Sequence, residues 1–468
     1  MHGLLVGGVA SGVGKTTVTL GLMAALRRRG LRVQGFKVGP DFIDAGLHAA
    51  VTDRPSHNLD GWLLPRAEIE AIFARHTADA DVALVEGVMG LFDGLEGGSD
   101  RGSSAEIARW LGLPVLLVVD ASAAVRSAAA TVLGFETFDP GLRMAGVVFN
   151  RAGGPRHAGW LREAAMGMCR SPILGALPWE TDVRIPERHL GLVTAETRLL
   201  TPERVGKLAD LVEAHVDVDQ LLEASRLAAL PAPSPPPPAS PGRRCRIGVA
   251  RDAAFCFYYA ENLARLEAAG ASLVPFSPLR DPRLPEGLDG LYLGGGYPEV
   301  HAAELAANVS MRGDIRAHAT TGCPVYAECG GFMYLAEAIQ DPEGRWHPMV
   351  GWFPVQAIFP AAGLTLHYVR VRIEEGCCLG PPGTEARGHE FHRSRMTTMP
   401  TDIARVLAIA EAPGDTWRPE GYRRGSVLAT YVHQHFGSQP SLPTHFVAAC
   451  RRARVVTDPN KDLRSTSG

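Results

Sequence analysis

The stretch Gly7-Gly8-Val9-Ala10-Ser11-Gly12-Val13-Gly14-Lys15-Thr16-Thr17 decides the fold of the first half of the chain. A short apolar run at residues 4–6 precedes it, and a segment with apolar residues on one face follows it. This order predicts a strand, a phosphate-binding loop and a helix whose N-terminus completes an anion site. Glycines turn backbone N–H groups toward phosphates, the lysine reaches the β and γ phosphates, and the first threonine hydroxyl can ligate Mg²⁺. The predicted ATP-binding residues are Gly12, Val13, Gly14, Lys15, Thr16 and Thr17.

The spacing of the glycines departs by one position from the usual phosphate-binding loop. A glycine is expected five residues before Gly14, where this sequence has Val9, and Gly8 lies one position earlier. This offset resembles the dethiobiotin-synthetase-like branch of P-loop enzymes. The alternative is a glycine-rich turn that precedes a lysine by chance, and the strand before it and the helix after it argue against that alternative.

Length, charge and hydropathy limit the class of protein. At 468 residues the chain is too long for one ordinary hydrophobic core, so we expect two domains. A net charge of -3 with 21% charged residues gives no electrostatic reason to expect nucleic acid or an anionic membrane as a partner. No apolar run approaches the ~18 residues that span a bilayer, and the N-terminus has no cationic signal-peptide start. A cytoplasmic enzyme is the expectation.

Polar residues follow the second predicted strand, which covers residues 31–36. Lys37, Asp41 and Asp44 come after it within eight positions. Ligands of α/β sheets bind outside the carboxyl ends of the strands, so this position favours a ligand site. A surface turn of the same composition is the alternative.

An acidic residue ends the third predicted strand at residues 82–85. Glu86 lies downstream of a P-loop, where a second contact to Mg²⁺ is expected, either directly or through water. Four glycines surround Asp93 in the loop that follows, which indicates a close approach between this loop and a ligand.

Three further apolar runs, at residues 115–119, 145–149 and 173–177, predict buried strands. Helical patterns at 66–77 and 104–111 separate the strands of this half, which indicates a parallel sheet covered on both faces. Asn150 follows the second of the three runs. It is placed either to hydrogen-bond an adenine edge or to cap the end of its strand.

The proline-rich run at 231–242 cannot form a core, so it predicts a semi-rigid spacer between two domains. We therefore expect a P-loop domain at 1–230, a linker at 231–243, a second α/β domain at 244–455 and a flexible tail at 456–468. The second half restarts with strands at 246–250, 272–276, 291–293 and 324–328, and a helix at 258–269.

Eight cysteines show neither a Cys-x-x-Cys pair nor histidines at zinc spacing, so no disulfide framework or structural metal is indicated. Cys329 alone follows an apolar strand and precedes Gly330-Gly331 and a helix predicted to reach residue 338. A cysteine on such a turn presents its sulfur at the sheet edge, and the helix N-terminus favours the thiolate. Cys329 is therefore the candidate nucleophile.

The candidate general base is His433, which ends a predicted strand at residues 427–432. A histidine in this position can take the proton of the thiol and return it to a leaving amine. The alternative is a hydrogen-bonded surface histidine. Backbone N–H groups of Gly295 and Gly330 are candidates for an oxyanion hole. Other histidines have no comparable setting, among them His367, His389 and His392.

The order of a P-loop domain, a linker and a cysteine–histidine domain resembles the glutamine-dependent corrinoid amidases over nearly the whole chain. The motif Lys37-Val38-Gly39-Pro40-Asp41-Phe42-Ile43-Asp44 is similar to that of the a,c-diamide synthases. The sister cobyric acid synthases carry a different sequence after the equivalent lysine. Three further segments are similar to the same family, namely 86–94, 185–192 and 431–436. The resemblance implies an α/β protein with a P-loop amidoligase domain and a class I glutamine amidotransferase-like domain.

The resemblance also implies two coupled reactions. Cys329 would hydrolyse glutamine through a thioester, and ATP·Mg²⁺ would activate the a and c acetates of a corrinoid as acyl phosphates for attack by ammonia. Other class I amidotransferases have a glutamate two residues after the histidine, where this chain has His435. The sequence does not show which residue orients His433 or whether the corrin substrate carries cobalt. A homodimer is compatible with the sequence.

Roles for the acidic residues follow from the polycarboxylate substrate, which unpaired carboxylates would repel. We expect Thr16, Asp41 and Glu86 to form the metal site, and Lys37, Asp44 and Asp93 to position the acyl phosphate and ammonia.

The rival function is a ParA/MinD-like ATPase switch with an inactive second domain. That class has a lysine early in its P-loop, where this chain has Ala10.

Overall fold

The computed structural model describes residues 1–183, 200–227, 244–360, 363–411 and 414–457, with side chains in the last stretch as far as Ala453. The chain divides into two compact units, Met1–Pro235 and Pro236–Gly468, and each is described by itself. The predicted linker and the segment 185–192 lie outside the described residues, as does most of the predicted tail. In the part of the chain that is described, no helix has the length and apolar composition needed to cross a membrane.

Strands and helices alternate through the first unit. Its elements are β1 His2–Gly8, α1 Lys15–Arg28, β2 Val33–Val38, α2 Phe42–Thr52, β3 His57–Leu59, α3 Arg66–Thr77, β4 Val82–Glu86, α4 Ser104–Leu111, β5 Val115–Asp120, α5 Arg126–Phe138, β6 Met144–Ala152, α6 Pro155–Ala165, β7 Ile173–Pro178, α7 Pro202–His215 and α8 Val218–Ala224. The strands form one sheet in the order β3-β2-β4-β1-β5-β6-β7. Every pairing in it is parallel, which confirms the predicted parallel sheet.

The strand order explains why the predicted ligand residues meet. Strand β4 lies between β1 and β2, and Glu86 is in register with Val6 on one side and Lys37 on the other. The phosphate-binding loop leaves β1 at this same edge and enters α1 through Gly14, whose φ of 95° favours glycine. The carboxyl ends of three neighbouring strands therefore surround one site.

The second unit combines a parallel core with an antiparallel extension. Its elements are β8 Cys245–Ala250, α9 Ala260–Ala268, β9 Ala271–Phe276, β10 Gly290–Leu293, α10 Ala302–Ala307, α11 Val309–Thr320, β11 Val325–Glu328, α12 Gly330–Leu335, β12 Ala338–Gln340, β13 Trp346–Pro348, β14 Gln356–Ile358, β15 Thr365–Ile373, β16 Glu385–His392, β17 Arg395–Met396, β18 Ala404–Ala410, β19 Arg418–Arg424, β20 Val427–Thr430, β21 His433–Gln434 and α13 Ser441–Thr457. One sheet runs β21-β16-β15-β18-β19-β20-β11-β10-β8-β9, and a smaller one runs β13-β12-β14-β17.

The parallel strands β20, β11, β10, β8 and β9 form the part of the large sheet that holds the predicted nucleophile. Strand β11 lies between β10 and β20, so three adjacent carboxyl ends lead to the glycine loop at 294–296, to Cys329 and to His433. The fold therefore brings the candidate nucleophile, the candidate base and the glycine loop to the ends of neighbouring strands.

The helix after Cys329 is shorter than predicted. It ends at Leu335, and Ala338–Gln340 is a strand of the smaller sheet. The chain leaves the helix because Ala336 is extended, and Glu337 then exchanges backbone hydrogen bonds with Val355 and Met349. The prediction of a helix as far as residue 338 is wrong because this pairing is not visible in the local sequence.

Candidate active sites

The first candidate site is a cavity of about 530 Å³ above the phosphate-binding loop. Its lining includes residues of the loop, of the strand ends and of α2, namely Ser11, Gly12, Gly14, Lys15, Thr16, Thr17, Lys37, Asp41, Asp44, Glu86, Asn150 and Arg151. Lys15 is the cation of the loop itself, and its Nζ donates to the carbonyls of Ala10, at 2.9 Å, and Met89. These carbonyls hold the ammonium at the place where phosphates would enter.

Burial lowers the pKa of Lys15 to about 8, and the neighbouring Lys37 ammonium adds to this shift. The carboxylates of Glu86 and Asp44 act in the opposite direction. A polyphosphate bound in the cavity would favour the charged form of the amine, because an opposite charge at short range stabilises an ammonium. The loop is thus electrostatically suited to an anionic ligand.

A hydroxyl, two carboxylates and an ammonium form a buried cluster beside the loop. Thr16 Oγ1 donates to Glu86 Oε1 at 2.7 Å and lies 3.5 Å from Asp44 Oδ1. Lys37 Nζ lies 2.9 Å from Asp44 Oδ2 and 3.1 Å from Glu86 Oε1, and it donates to the carbonyl of Gly87 at 2.8 Å. The predicted residues Thr16, Lys37, Asp44 and Glu86 therefore contact one another.

The charge state of this cluster follows from its pairing. Burial alone would raise the pKa of Glu86, but the Lys37 ammonium, together with hydrogen bonds from His48 and Thr16, holds that pKa well below its usual range. Burial likewise disfavours the charged form of Lys37, and Asp44 and Glu86 outweigh it, so the pKa of the lysine is raised. The cluster is ionised at neutral pH.

His48 is a site residue that the sequence reasoning missed. Its Nε2 lies 2.7 Å from Glu86 Oε2, its Nδ1 lies 3.2 Å from Ser56 Oγ, and the side chain is fully buried. A signal was present, since His48 follows Asp44 by four residues and therefore shares a face of α2 with it. The imidazole fixes the orientation of the Glu86 carboxylate.

The two carboxylates at the start of α2 make different contacts. Asp41 is the N-cap of α2, and its Oδ1 accepts hydrogen bonds from the N–H groups of Ile43 at 2.8 Å and Asp44 at 3.0 Å. Asp44 instead faces Thr16 and Lys37. Asp41 also lines the cavity, so its place in a metal site stays a prediction, and the contacts of Asp44 make that residue a further candidate ligand.

Asp93 contacts the backbone of its own loop. Its Oδ2 accepts a hydrogen bond from the N–H of Gly90 at 2.9 Å, and it is not among the described residues that line the cavity. The carboxylate stabilises the turn of its own glycine-rich loop. Its charge also acts on the ammonium of Lys15, so its role in positioning the acyl phosphate stays a prediction.

Asn150 lines the cavity and also contacts the backbone of the loop. Its Nδ2 donates to the carbonyl of Val13 at 2.9 Å, and a Cβ on Gly14 would lie 2.1 Å from the same nitrogen. The adjacent Arg151 donates to the carbonyl of Gly12 at 2.8 Å and also pairs with Asp120. The end of β6 thus supports the backbone of the phosphate-binding loop.

The second candidate site lies in the second unit, at the turn between β11 and α12. Cys329 occupies this turn with a φ of 46°, a conformation that non-glycine residues rarely adopt and that often marks a functional site. Its N–H donates to the carbonyl of Thr430 at 2.8 Å, and its carbonyl accepts from Met333 at 3.0 Å. Gly331 permits the turn, because a Cβ there would lie 2.1 Å from the carbonyl of Leu293.

The glycine loop approaches both the histidine and the cysteine turn. A Cβ on Gly295 would lie 2.4 Å from Cε1 of His433, so the ring lies directly against this glycine. A Cβ on Gly330 would lie 3.1 Å from the backbone nitrogen of Gly296. The structure therefore brings together the predicted Cys329, His433, Gly295 and Gly330 at one edge of the sheet.

The nucleophile and the base are both neutral in this environment. Burial, with a contribution from Glu299, raises the pKa of the Cys329 thiol well above its usual range. Burial, with contributions from His389 and His392, lowers the pKa of His433 well below its ordinary value. Neither group carries a charge before attack, so burial outweighs the expected preference of Cys329 for the thiolate.

Two histidines that the sequence analysis set apart lie beside the candidate base. His389 is the cross-strand partner of His433, with ring centroids 5.1 Å apart, and it contacts the hydroxyl of Tyr259 at 2.9 Å. The ring of His392 stacks on Tyr431 at 4.0 Å. The expectation that they have no comparable setting is wrong, because the register of β16 and β21 could not be read from the sequence. His367 is half exposed and lies 3.6 Å from Glu411.

Two family models match the chain, one over each of the sites described above. A CobQ/CobB/MinD/ParA nucleotide binding domain matches residues 4–193. A CobB/CobQ-like glutamine amidotransferase domain matches residues 246–441. The phosphate-binding loop falls in the first match, and Cys329 and His433 fall in the second.

Curated relatives match over nearly their whole length. The cobyrinate a,c-diamide synthase of Syntrophotalea carbinolica is 47% identical over 451 residues, which are 96% of this chain and 98% of the relative. That of Salmonella typhimurium is 41% identical over 96% of this chain and 98% of the relative, and that of Synechococcus sp. is 43% identical over 97% and 99%. With such identity along both halves, the chain belongs to the cobyrinate a,c-diamide synthase family.

Proposed function

We propose that this chain uses ATP and glutamine to convert the a and c acetate carboxylates of cobyrinic or hydrogenobyrinic acid to amides, through acyl-phosphate intermediates, in cobalamin biosynthesis. The family supports the amidation and its place in cobalamin biosynthesis. The observation that carries the proposal is that one chain contains a phosphate-binding loop with a buried carboxylate cluster and also a strained cysteine beside a buried histidine.

The second unit would release ammonia from glutamine. The sulfur of Cys329 attacks the carboxamide carbon while His433 takes the proton of the thiol. The protonated histidine then donates that proton to the leaving nitrogen, so ammonia departs and a thioester remains. Water, activated by the same histidine, hydrolyses the thioester to glutamate and restores the thiol.

The oxyanion of each tetrahedral intermediate needs preorganised donors. The N–H of Gly330 begins α12 directly after the nucleophile, and Gly295 lies against the ring of His433. Both belong to tightly packed backbone that would not need to reorganise as charge develops. Such donors contribute about 3 kcal/mol each to the stabilisation of a transition state.

The first unit would activate the corrinoid carboxylate. A carboxylate is a poor acylating agent, because its leaving group would be an oxide. Transfer of the γ-phosphoryl group of ATP to the carboxylate oxygen releases ADP and gives an acyl phosphate, from which ammonia displaces phosphate to form the amide. Lys15 and Lys37 would offset the negative charge of the phosphates during this transfer.

The residues beside the loop fit a magnesium ion. The donors are the hydroxyl of Thr16 and the carboxylates of Asp44 and Glu86, all of them oxygen ligands of the kind that Mg²⁺ prefers. We propose that these three residues hold the ion, directly or through water. A bound Mg²⁺ would supply positive charge at the phosphates.

A cytoplasmic location and a homodimer remain predictions from the sequence.

Separate assays with glutamine and with added ammonia test the proposal. Cys329→Ala should lose glutamine-dependent amidation but retain ammonia-dependent amidation, because only the thiolate step is removed. Lys15→Ala should lose amidation with both nitrogen sources, because it weakens phosphoryl transfer. Products would be identified by mass spectrometry with metal-free and cobalt-bound substrate.

Two results would contradict the proposal. Glutamine-dependent amidation by Cys329→Ala would show that another residue is the nucleophile. Ammonia-dependent amidation at the wild-type rate by Lys15→Ala would show that the phosphate-binding loop is not the activation site. The ParA/MinD-like alternative predicts ATP hydrolysis without any release of glutamate from glutamine.

A further inference from the structure

Glu328 is a buried carboxylate that no step described so far uses. It immediately precedes Cys329 at the end of β11 and is 2% exposed. Its Oε2 lies 3.9 Å from Nδ1 of His433. An acid next to the nucleophile in sequence therefore faces the base in space.

Three donors fix the position of this carboxylate. The hydroxyl of Tyr292 donates to Oε2 at 2.8 Å, and the hydroxyl of Tyr326 donates to Oε1 at 2.6 Å. The backbone N–H of Gln434, the residue after the base, also donates to Oε1 at 3.1 Å. The Gln434 side chain donates in turn to Tyr326 Oη at 3.2 Å. The network thus connects Glu328 to the backbone of β21 as well as to the ring.

His435 occupies the sequence position that holds a glutamate in other class I amidotransferases. Its contacts are with Gly437 and Tyr259. Its Nδ1 accepts a hydrogen bond from the N–H of Gly437 at 3.1 Å, and its ring packs on Tyr259 at 4.5 Å. Burial lowers the pKa of His435 to about 3, so it stays neutral. A neutral, buried imidazole does not supply the negative charge that an imidazolium requires.

We infer that Glu328 is the positioning residue of the glutaminase, and that its carboxylate orients His433 through Nδ1 and stabilises the imidazolium formed during attack. This inference rests on the proposed roles of Cys329 and His433. The 3.9 Å separation is longer than a hydrogen bond, and such contacts shorten as charge develops in the reacting complex. Holding Nδ1 protonated makes Nε2 the ring nitrogen that accepts the thiol proton.

The titratable groups around the pair come from several elements. Those that face Glu328 or His433 are Tyr292, Tyr326, His389 and His392, while Glu299, Glu328 and Glu390 act on the thiol of Cys329. Burial raises the pKa of Glu328 to about 7, and the hydrogen bonds from Tyr326 and Tyr292 act in the opposite direction. The carboxylate is therefore ionised in the upper part of the physiological pH range.

The test compares Glu328→Gln with a matched control in the full-length protein. Glu420 is the control, since it is another fully buried carboxylate of the same unit, and its oxygens bind Thr430 Oγ1 and the N–H of Tyr431. Glutamate release would be measured with ATP and cobyrinic acid present. Glu328→Gln should lower kcat about 10- to 100-fold, less than the full contribution of a general base, with the KM for glutamine nearly unchanged.

The pH profile distinguishes a positioning role from a merely structural one. Tyr292→Phe removes a hydrogen bond that favours the ionised carboxylate, so the acidic limb of kcat/KM should move to higher pH. This variant keeps Glu328 itself, so it also tests the inference if Glu328→Gln fails to fold. An acidic limb at the wild-type pH in Tyr292→Phe would overturn the inference.

Wild-type kcat in Glu328→Gln, or an equal loss in Glu328→Gln and Glu420→Gln, would likewise overturn it. Failure of the proposed function has a different outcome. In that case Cys329→Ala would still release glutamate, or the wild type would release none. A third outcome separates the two proposals. If Cys329→Ala abolishes glutamate release and Glu328→Gln keeps the wild-type rate, the positioning role of Glu328 is wrong and the proposed function still holds.

Discussion

The imidazole of His48 lies with Nε2 2.7 Å from Oε2 of Glu86, and neither side chain is exposed to solvent. The other oxygen of Glu86 contacts Thr16 and Lys37. Each carboxylate oxygen therefore has a separate partner, and rotation of the group would break both sets of contacts. His48 therefore acts on the site through Glu86, whose carboxylate it holds in place.

Removal of this imidazole should impair activation of the substrate. We expect His48→Ala to lower ammonia-dependent amidation about 10- to 100-fold, because a carboxylate without its supporting partner is poorly oriented. The measurement is initial rate at saturating ammonia over a range of Mg²⁺ concentrations. His57→Ala is the control, since it removes another buried histidine of the same unit. Equal losses in both variants would show that the effect is one of stability.

Much of the first unit could be predicted from its sequence. Strands β1 and β5 contain continuous apolar runs, which are typical of strands buried on both faces. The antiparallel part of the second unit could not be predicted in the same way. Strand β19, with the sequence RPEGYRR, contains almost no apolar residues, and it is a strand because β18 and β20 pair with it on either side.

The candidate sites show the same division between local pattern and tertiary arrangement. Lys37, Glu86 and Cys329 could be proposed because each follows an apolar strand, and the ends of parallel strands carry ligands. The different contacts of Asp41 and Asp44 could not be predicted, because they depend on which carboxylate caps α2. The contact between Glu328 and His433 depends on strands about a hundred residues apart, and no local pattern encodes it.

The two carboxylates of α2 should respond differently to neutral substitution. Asp44→Asn should raise the Mg²⁺ concentration needed for half-maximal amidation, because it removes a charged oxygen next to Thr16 and Lys37. Asp41→Asn should leave that concentration near the wild-type value, because asparagine caps a helix as well as aspartate does. A magnesium titration of ammonia-dependent activity measures both.

Asp41→Ala completes this comparison, since it removes the cap without adding another. It should lower the free energy of unfolding of the first unit by about 1 kcal/mol. A larger magnesium requirement in Asp41→Asn than in Asp44→Asn would show that Asp41, rather than Asp44, contributes to the metal site.

Asn150 offers a test between its two interpretations. If it supports the loop through the carbonyl of Val13, Asn150→Ala should raise the KM for ATP and for GTP by a similar factor. If it recognises an adenine edge, the substitution should instead reduce the preference for ATP over GTP. We expect the first result, because the amide nitrogen already donates to the loop. Steady-state kinetics with both nucleotides and ammonia as the nitrogen source measure it.

Glu420 carries a stability cost that depends on pH. It is 4% exposed, and burial raises its pKa to about 7 from an ordinary value of 4.5, against hydrogen bonds from Thr430 and Tyr431. Between these two values the folded protein binds more protons than the unfolded chain. The contribution of this group to stability is therefore fully present below pH 4.5 and is lost as the pH rises to about 7.

Glu420→Gln removes this titration while it keeps the shape of the side chain. The variant should gain stability relative to the wild type at pH 8, by an amount limited to about 3 kcal/mol, and should gain little at pH 5. The measurement is the thermal midpoint of the second unit at both pH values, with Glu411→Gln as the exposed control. The gain at pH 8 arises because the wild type must ionise a buried carboxylate there, whereas glutamine is neutral throughout. An equal change in midpoint at pH 5 and pH 8 would show that the side-chain amide alters packing rather than charge.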